Sequence, residues 1–226
     1  MNTEHNASIS QILPKIPFWS NLSSEEKAIV SQRVITKRFN KDQIISSNSS
    51  VCLGIILILS GGIRVSLISD EGREITLYRA HTNEFCVSTA SCVIHQLTFD
   101  TNVTAEEDTT VLVIPSSITA RLMETNIHVR SFVFERETER YSQTIWAIQQ
   151  MLFKRFDQRL ASYFINVYES SGNTEIKKTQ EEIARDVNSA REVVARMLKD
   201  FAAKGLVEIK RGKILLKNID ALKKLV

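Results

Sequence analysis

The stretch Thr179-Gln180-Glu181-Glu182-Ile183-Ala184-Arg185-Asp186-Val187-Asn188-Ser189-Ala190-Arg191-Glu192-Val193-Val194-Ala195-Arg196-Met197-Leu198 decides how the last third of the chain folds. Thr179 followed three residues later by Glu182 is a capping box, which starts a helix by satisfying two orphan N–H groups reciprocally. That helix is expected over Thr179–Arg185. Ile183 and Ala184 are apolar or small, as two closely crossing helices require. Asp186-Val187-Asn188 makes a turn, and Asn188 stands where a left-handed backbone is needed, a conformation Asn tolerates best after Gly. Ser189 is placed to cap a second helix, expected over Ala190–Ala203 and closed by Gly205. Val193, Val194, Met197, Leu198 and Phe201 form its buried face, leaving Arg191, Glu192, Arg196 and Lys199 outward.

Working outward, a preceding helix is expected over Arg155–Ser170. After Gly205, Val207-Glu208-Ile209-Lys210, the turn Arg211-Gly212 and Lys213-Ile214-Leu215-Leu216 read as a hairpin. Helix, turn, helix and hairpin make a winged helix-turn-helix. Its second helix enters a major groove N-terminus first. Arg donates two bonds to guanine and Glu accepts from cytosine. The residues expected to meet DNA are Thr179, Gln180, Ser189, Arg191, Glu192 and Arg196, with Lys213 on the wing taking phosphate. Charge agrees: from Lys154 onward there are 16 Lys and Arg against 10 Asp and Glu, while the whole chain is only +3. The competing reading is a degenerate winged helix that acts as a protein-interaction adaptor.

Upstream, Asn126 is placed to cap a long helix. Phe134, Thr138, Tyr141, Ile145, Ile148 and Leu152 are spaced alternately by four and three, the spacing of a two-stranded coiled-coil seam with one polar step. This predicts a dimer in which Phe134, Tyr141, Ile145, Ile148 and Leu152 form the seam. Phe132, Val133, Trp146 and Phe153 supply a second apolar face, so a monomeric helix packed on a sheet is the alternative.

Between about 34 and 115 the pattern is strand-like. Gly54–Leu59 is apolar and β-branched, Gly61-Gly62 interrupts it, and Ile63–Ile68 alternates strictly. Ser69-Asp70-Glu71-Gly72 is a hairpin turn returning into Glu74–Tyr78. Further strands fit Thr98–Ala105 and Thr110–Ile114. Short strands without intervening helices mean an antiparallel sandwich or barrel. A short helix is expected over 116–125, and another opens at Ser23 or Ser24.

Several classes are disfavoured. The longest apolar stretch, Val51–Leu59, is too short for a membrane span. Met1–Ser10 lacks the features of a signal peptide, so a cytoplasmic protein without membrane attachment is expected. Three cysteines, Cys52, Cys86 and Cys92, are too few for a disulfide framework or an all-cysteine metal site. No nucleophile-elbow, phosphate-loop or metalloprotease motif occurs, and none of the four histidines has a metal-ligand spacing, so neither an enzyme nor a metal site is expected.

Over nearly its whole length the sequence resembles the cyclic-AMP receptor protein/Fnr (Crp/Fnr) superfamily of bacterial regulators. The motif that carries the resemblance is Thr179–Ala184 followed by Ala190–Leu198. The resemblance implies an α+β chain: an antiparallel β-roll effector domain of the cyclic-nucleotide-binding kind (1–125), a dimerisation helix (126–153) and a winged helix-turn-helix (154–226). It also implies that Arg191, Glu192 and Arg196 read bases. The effector site departs from the best-known members. The position of the ribose-binding glutamate is Ser88, that of the phosphate-binding arginine is Phe99, and its serine neighbour is Asp100. A cyclic phosphate facing Phe and a carboxylate has lost its counter-charge, which argues against cyclic AMP. The cluster-binding N-terminal cysteines of the Fnr branch are also missing, since residues 1–51 contain none.

What occupies the effector region is Cys86, Ser88, Cys92 and Phe99, with His95 nearby. The cysteines read as packing residues, as a redox pair or metal or haem ligands, or as neighbours of a small apolar ligand; the cofactor stays open. His81, His95 and His128 read as surface or satisfied side chains. The expected function is a homodimeric, sequence-specific transcriptional regulator controlled by an effector or redox signal. Its expected partners are palindromic double-stranded DNA, a second copy of itself, RNA polymerase and an unidentified small-molecule or redox effector.

Overall fold

A computed structural model describes residues 9–47, 53–69, 74–87 and 101–226. Chain contacts divide it into two units, one of residues 1–68 and 77–144 and one of residues 69–76 and 145–226.

In the N-terminal unit, eight strands among the described residues form two antiparallel four-stranded sheets. β1 (Ile35–Phe39), β8 (Thr109–Pro115), β3 (Gly54–Ser60) and β6 (Phe85–Cys86) make one, in that order. β2 (Ile44–Ser46), β7 (Asn102–Ala105), β4 (Gly62–Ile68) and β5 (Glu74–His81) make the other. The uninterrupted apolar run of β3 has a packing reason. Ile56 and Ile58 enter a core with Ile63, Val65, Tyr78 and Cys86 of neighbouring strands. Ile55 and Leu57, pointing the opposite way, pack against helices. A strand covered on both faces is apolar at every position. Between β3 and β4, Gly61 has φ +85°, and a Cβ there would lie 2.7 Å from the Asp108 carbonyl oxygen. Only glycine fits this crossing.

The helices on that sheet are α1 (Ser24–Arg33), α2 (Ser116–Thr125) and the first half of α3 (Ile127–Phe153). Ser23 caps α1 in a full capping box with Glu26. Asn126 caps α3 as expected, its Oδ1 accepting from the backbone N–H groups of His128 and Val129. Val129, Phe132 and Val133 are buried with Val30, Leu112, Ile114 and Leu122. The second apolar face expected for α3 therefore divides: Phe132 and Val133 are core, whereas Trp146 and Phe153 are exposed.

In the C-terminal unit, α4 (Phe156–Ser171), α5 (Gln180–Asp186) and α6 (Arg191–Ala203) surround a core of Leu160, Phe164, Ile183, Val194, Leu198 and Phe201. The wing hairpin, β10 (Val207–Lys210) and β11 (Lys213–Leu216), gains a third antiparallel strand, β9 (Glu175–Ile176), that sequence reading did not anticipate. A short α7 (Ile219–Lys223) packs on α4.

Several expectations need correction. The strand expected from Thr98 begins, among described residues, at Asn102. Ser189 does not cap α6: its N-cap is Ala190, which makes no side-chain capping bond. Val193 is half-buried rather than core. Ser88, Cys92, His95, Phe99, Asp100 and most of the Ser69–Gly72 turn lie outside the described residues.

Candidate nucleic-acid interface

The helix-turn-helix is held by local bonds that can be followed residue by residue. Thr179 Oγ1 accepts from the Glu182 backbone N–H at 3.2 Å, and the Glu182 carboxylate accepts from the Thr179 N–H at 2.8 Å. This box fixes where α5 begins. At its other end, Asp186 Oδ2 accepts from Tyr163 Oη and from Lys178 Nζ, each at 2.7 Å. The turn follows, with Asn188 at φ 50° as the sequence requires.

These constraints orient α6. Val194, Leu198 and Phe201 point inward, and Arg191, Glu192 and Arg196 are exposed on its outer surface. A groove beside the start of α6 is lined by Thr179, Gln180, Arg191, Arg211 and Lys213, among others. The structure thus brings together five residues from three elements, four of them expected to meet DNA. Arg211, at the exposed wing tip beside Gly212, was not among the residues expected there. A basic residue in a Gly-containing hairpin turn was the available signal. Ser189 is half-buried and is not among the groove-lining residues.

Lys213 occupies the groove in a different state from the one expected. Its Nζ lies 2.9 Å from Glu175 Oε2, and Lys177 stands 4.0 Å from the other oxygen of the same carboxylate. The Lys213 hydrogen bond holds the Glu175 carboxyl below its usual pKa. On the neighbouring strand Glu208 receives Lys210 at 3.2 Å and Lys217 at 3.5 Å, and is lowered for the same reason, the Lys210 bond first.

The N-terminal unit presents a second kind of site. Cys86 is fully buried, with Sγ 3.7 Å from Tyr78 Oη. Over the Tyr78 ring, 4.7 Å from its centroid, lies the guanidinium of Arg140 on α3. Arg140 is buried and donates to the Phe85 carbonyl at 3.2 Å and to Gln143 Oε1 at 3.0 Å. Sequence reading missed Arg140, although it continues the i, i+4 stripe of Phe132 and Arg136. Among the described residues no group of three His, Cys, Asp or Glu side chains is placed to hold a metal. His81 and His128 are exposed. No described helix is long and apolar enough to cross a membrane.

Along α3 the five apolar seam positions are all exposed, from 36% at Ile145 to 71% at Leu152. The polar step, Thr138, turns its hydroxyl back onto the Phe134 carbonyl at 2.7 Å.

Comparison with known proteins agrees with this anatomy. Residues 36–126 match the cyclic nucleotide-binding domain model, and residues 158–225 match the Crp-like helix-turn-helix domain model. A protein from Eubacterium rectale, described as a transcriptional regulator of the Crp/Fnr family, is 36% identical with a TM-score of 0.87, over 93% of this chain and 97% of its own. Two others share the fold. The c-di-GMP-responsive global regulator CLP of Xanthomonas campestris is 15% identical with a TM-score of 0.72, over 87% of this chain and 100% of its own. A CooA variant from Carboxydothermus hydrogenoformans is 20% identical with a TM-score of 0.63, over 92% and 94%. No curated protein sequence matches the chain.

Proposed function

The chain belongs to the Crp/Fnr family, DNA-binding transcriptional regulators with an effector-binding domain, and from that premise we propose that it acts as a homodimer on a two-fold symmetric operator. The single observation supporting this reading is the outward face of α6, where Arg191, Glu192 and Arg196 are exposed and Arg191 lines the wing groove. Arg191 and Arg196 are suited to guanine edges and Glu192 to cytosine N4. Thr179 and Gln180 open α5 in the same groove and are suited to the phosphate backbone. The exposed seam of α3 supports the dimer, because five large apolar side chains at coiled-coil spacing are stable together only when another apolar surface covers them.

The effector is proposed to bind in the β-roll and not to be cyclic AMP, since Ser88, Phe99 and Asp100 stand where a cyclic nucleotide needs a carboxylate, a cation and a hydroxyl. Close in sequence to Ser88, buried Cys86 stands against Tyr78, whose ring carries the Arg140 guanidinium. Full burial of Cys86 favours a packing role over a reactive thiol, because reactive cysteines need partial exposure.

In-vitro selection from a random duplex library tests the reading. The expected product is a palindrome with half-sites about one helical turn apart. Recovery of no enriched sequence, with binding to protein partners instead, would support the adaptor reading.

A further inference from the structure

The wing carries its lysines already paired. Glu175 on β9 takes Lys213 at 2.9 Å and Lys177 at 4.0 Å, and Glu208 on β10 takes Lys210 at 3.2 Å and Lys217 at 3.5 Å. Arg211 at the tip and Arg191 at the start of α6 are exposed in the same groove that Lys213 lines. The cations of this groove therefore fall into two kinds, the exposed arginines Arg191 and Arg211 and the lysines Lys178, Lys210 and Lys213, each held by a carboxylate.

We propose that Glu175 is a positioning residue that withholds Lys213 from DNA phosphate and so sets the absolute affinity for duplex DNA without altering sequence preference. This rests on the DNA-binding reading above. A lysine that neutralises a phosphate displaces condensed counterions from the duplex, and each such contact steepens the salt dependence of binding. Lys213 held on Glu175 at 2.9 Å brings a charge that is already largely countered, and so displaces fewer counterions than an unpaired lysine. The carboxylate is anchored on a strand: Glu175 pairs with Leu215 across the β9–β11 ladder, and its N–H donates to Asn173 Oδ1 at 2.8 Å. It is not on a loop that could swing clear. A glutamate carboxyl is already ionised at neutral pH, and the Lys213 hydrogen bond lowers its pKa further. Because phosphate carries no base identity, a change in this pair acts on every duplex alike.

The test measures affinity for a selected operator and for a random duplex across a salt series, using the full-length protein and Glu175→Gln. The amide keeps the shape of the side chain and removes its charge. The expected result is a gain of about 3- to 10-fold near 0.1 M salt, equal for both duplexes, with the salt slope steeper by about one. In a Lys213→Ala background the gain should vanish. An unchanged slope overturns the proposal, as does a gain confined to the operator. A gain that survives in the Lys213→Ala background also overturns it, because Glu175 would then be repelling phosphate directly. Glu175→Asp, which retracts the carboxylate by one methylene, gives a second variant and should fall between wild type and Glu175→Gln. Failure of the wild type to bind either duplex would instead refute the DNA-binding reading itself, and this inference with it.

Discussion

The hydroxyl of Tyr163, on the first helix of the C-terminal unit, donates to Asp186 Oδ2 at 2.7 Å, at the last residue of the helix that precedes the turn. Lys178 donates to the same oxygen. The Asp186 side chain is only 9% exposed, so the two donors replace its lost water. The pair ties α4 to the end of α5 and so fixes where the turn begins. Tyr163→Phe should cost about 1.5–3 kcal/mol, as expected for a hydrogen bond to a charged group. Asp186→Ala should cost at least as much. Urea unfolding measures both; a cost within a few tenths of a kcal/mol would mean that packing alone sets the turn.

Arg191 stands exposed at the first position of α6. Arg191→Ala should cost roughly 1–3 kcal/mol on the preferred operator and flatten discrimination at one base pair. Competition binding against single-base operator variants reads both effects. Undiminished sequence preference would remove Arg191 from the set of base readers.

Ile145 and Ile148 are consecutive positions of the proposed seam, and both are exposed in the single chain. Ile145→Glu or Ile148→Glu should set carboxylates against each other across an apolar interface. Light scattering should then report monomers, and operator binding should weaken sharply. Dimers of wild-type stability would place the interface elsewhere.

Cyclic AMP and cyclic GMP should leave the melting temperature and the operator affinity unchanged at millimolar concentration. A ligand that binds only the native state stabilises it by RT ln(1 + [L]/Kd), so a working site would be visible. A saturable shift would show that Ser88 and Phe99 do not disable the pocket.

Glu26 predicts a pH dependence. Its carboxyl is held below the ordinary value chiefly by the Ser23 backbone N–H, with Asn126, the Ser23 hydroxyl and Thr125 adding to it against the opposing effect of burial. A depressed native pKa means that the contribution is complete above the unfolded value and is lost as pH falls through the native one. The stability gap between wild type and Glu26→Gln should therefore be constant from neutral pH down to about 5 and close below 4. A gap that persists at pH 3 would locate the stabilisation in shape rather than charge.

The helix-turn-helix was legible because its signals are local. Thr179 and Glu182 cap over one turn, Asn188 takes its conformation within itself, and the apolar face of α6 repeats along one helix. The β1 and β2 strands were not. Ile35 and Ile44 face solvent, so neither strand shows the alternation that marks a half-buried sheet, and both are defined by partners far along the chain, β8 and β7. The apolar row of α3 was legible as spacing, yet spacing alone left Phe132 and Trp146 on one expected face, and packing against β3 and β8 buried Phe132 alone.

By itself the sequence determined the succession of a strand-rich region, a long helix and a winged helix-turn-helix, and the family, because capping boxes, periodicity and a contiguous motif are properties of neighbouring residues. Tertiary structure decided what distant residues do to one another. Lys213 reads as a free wing cation until β9, 38 residues earlier, brings Glu175 to 2.9 Å from it. Arg140 reads as a surface charge on a long helix until the sheet beneath closes Tyr78 and Phe85 around it. A charged side chain's state depends on its solvent and its counter-charge, and both are supplied by chain segments that only folding brings together.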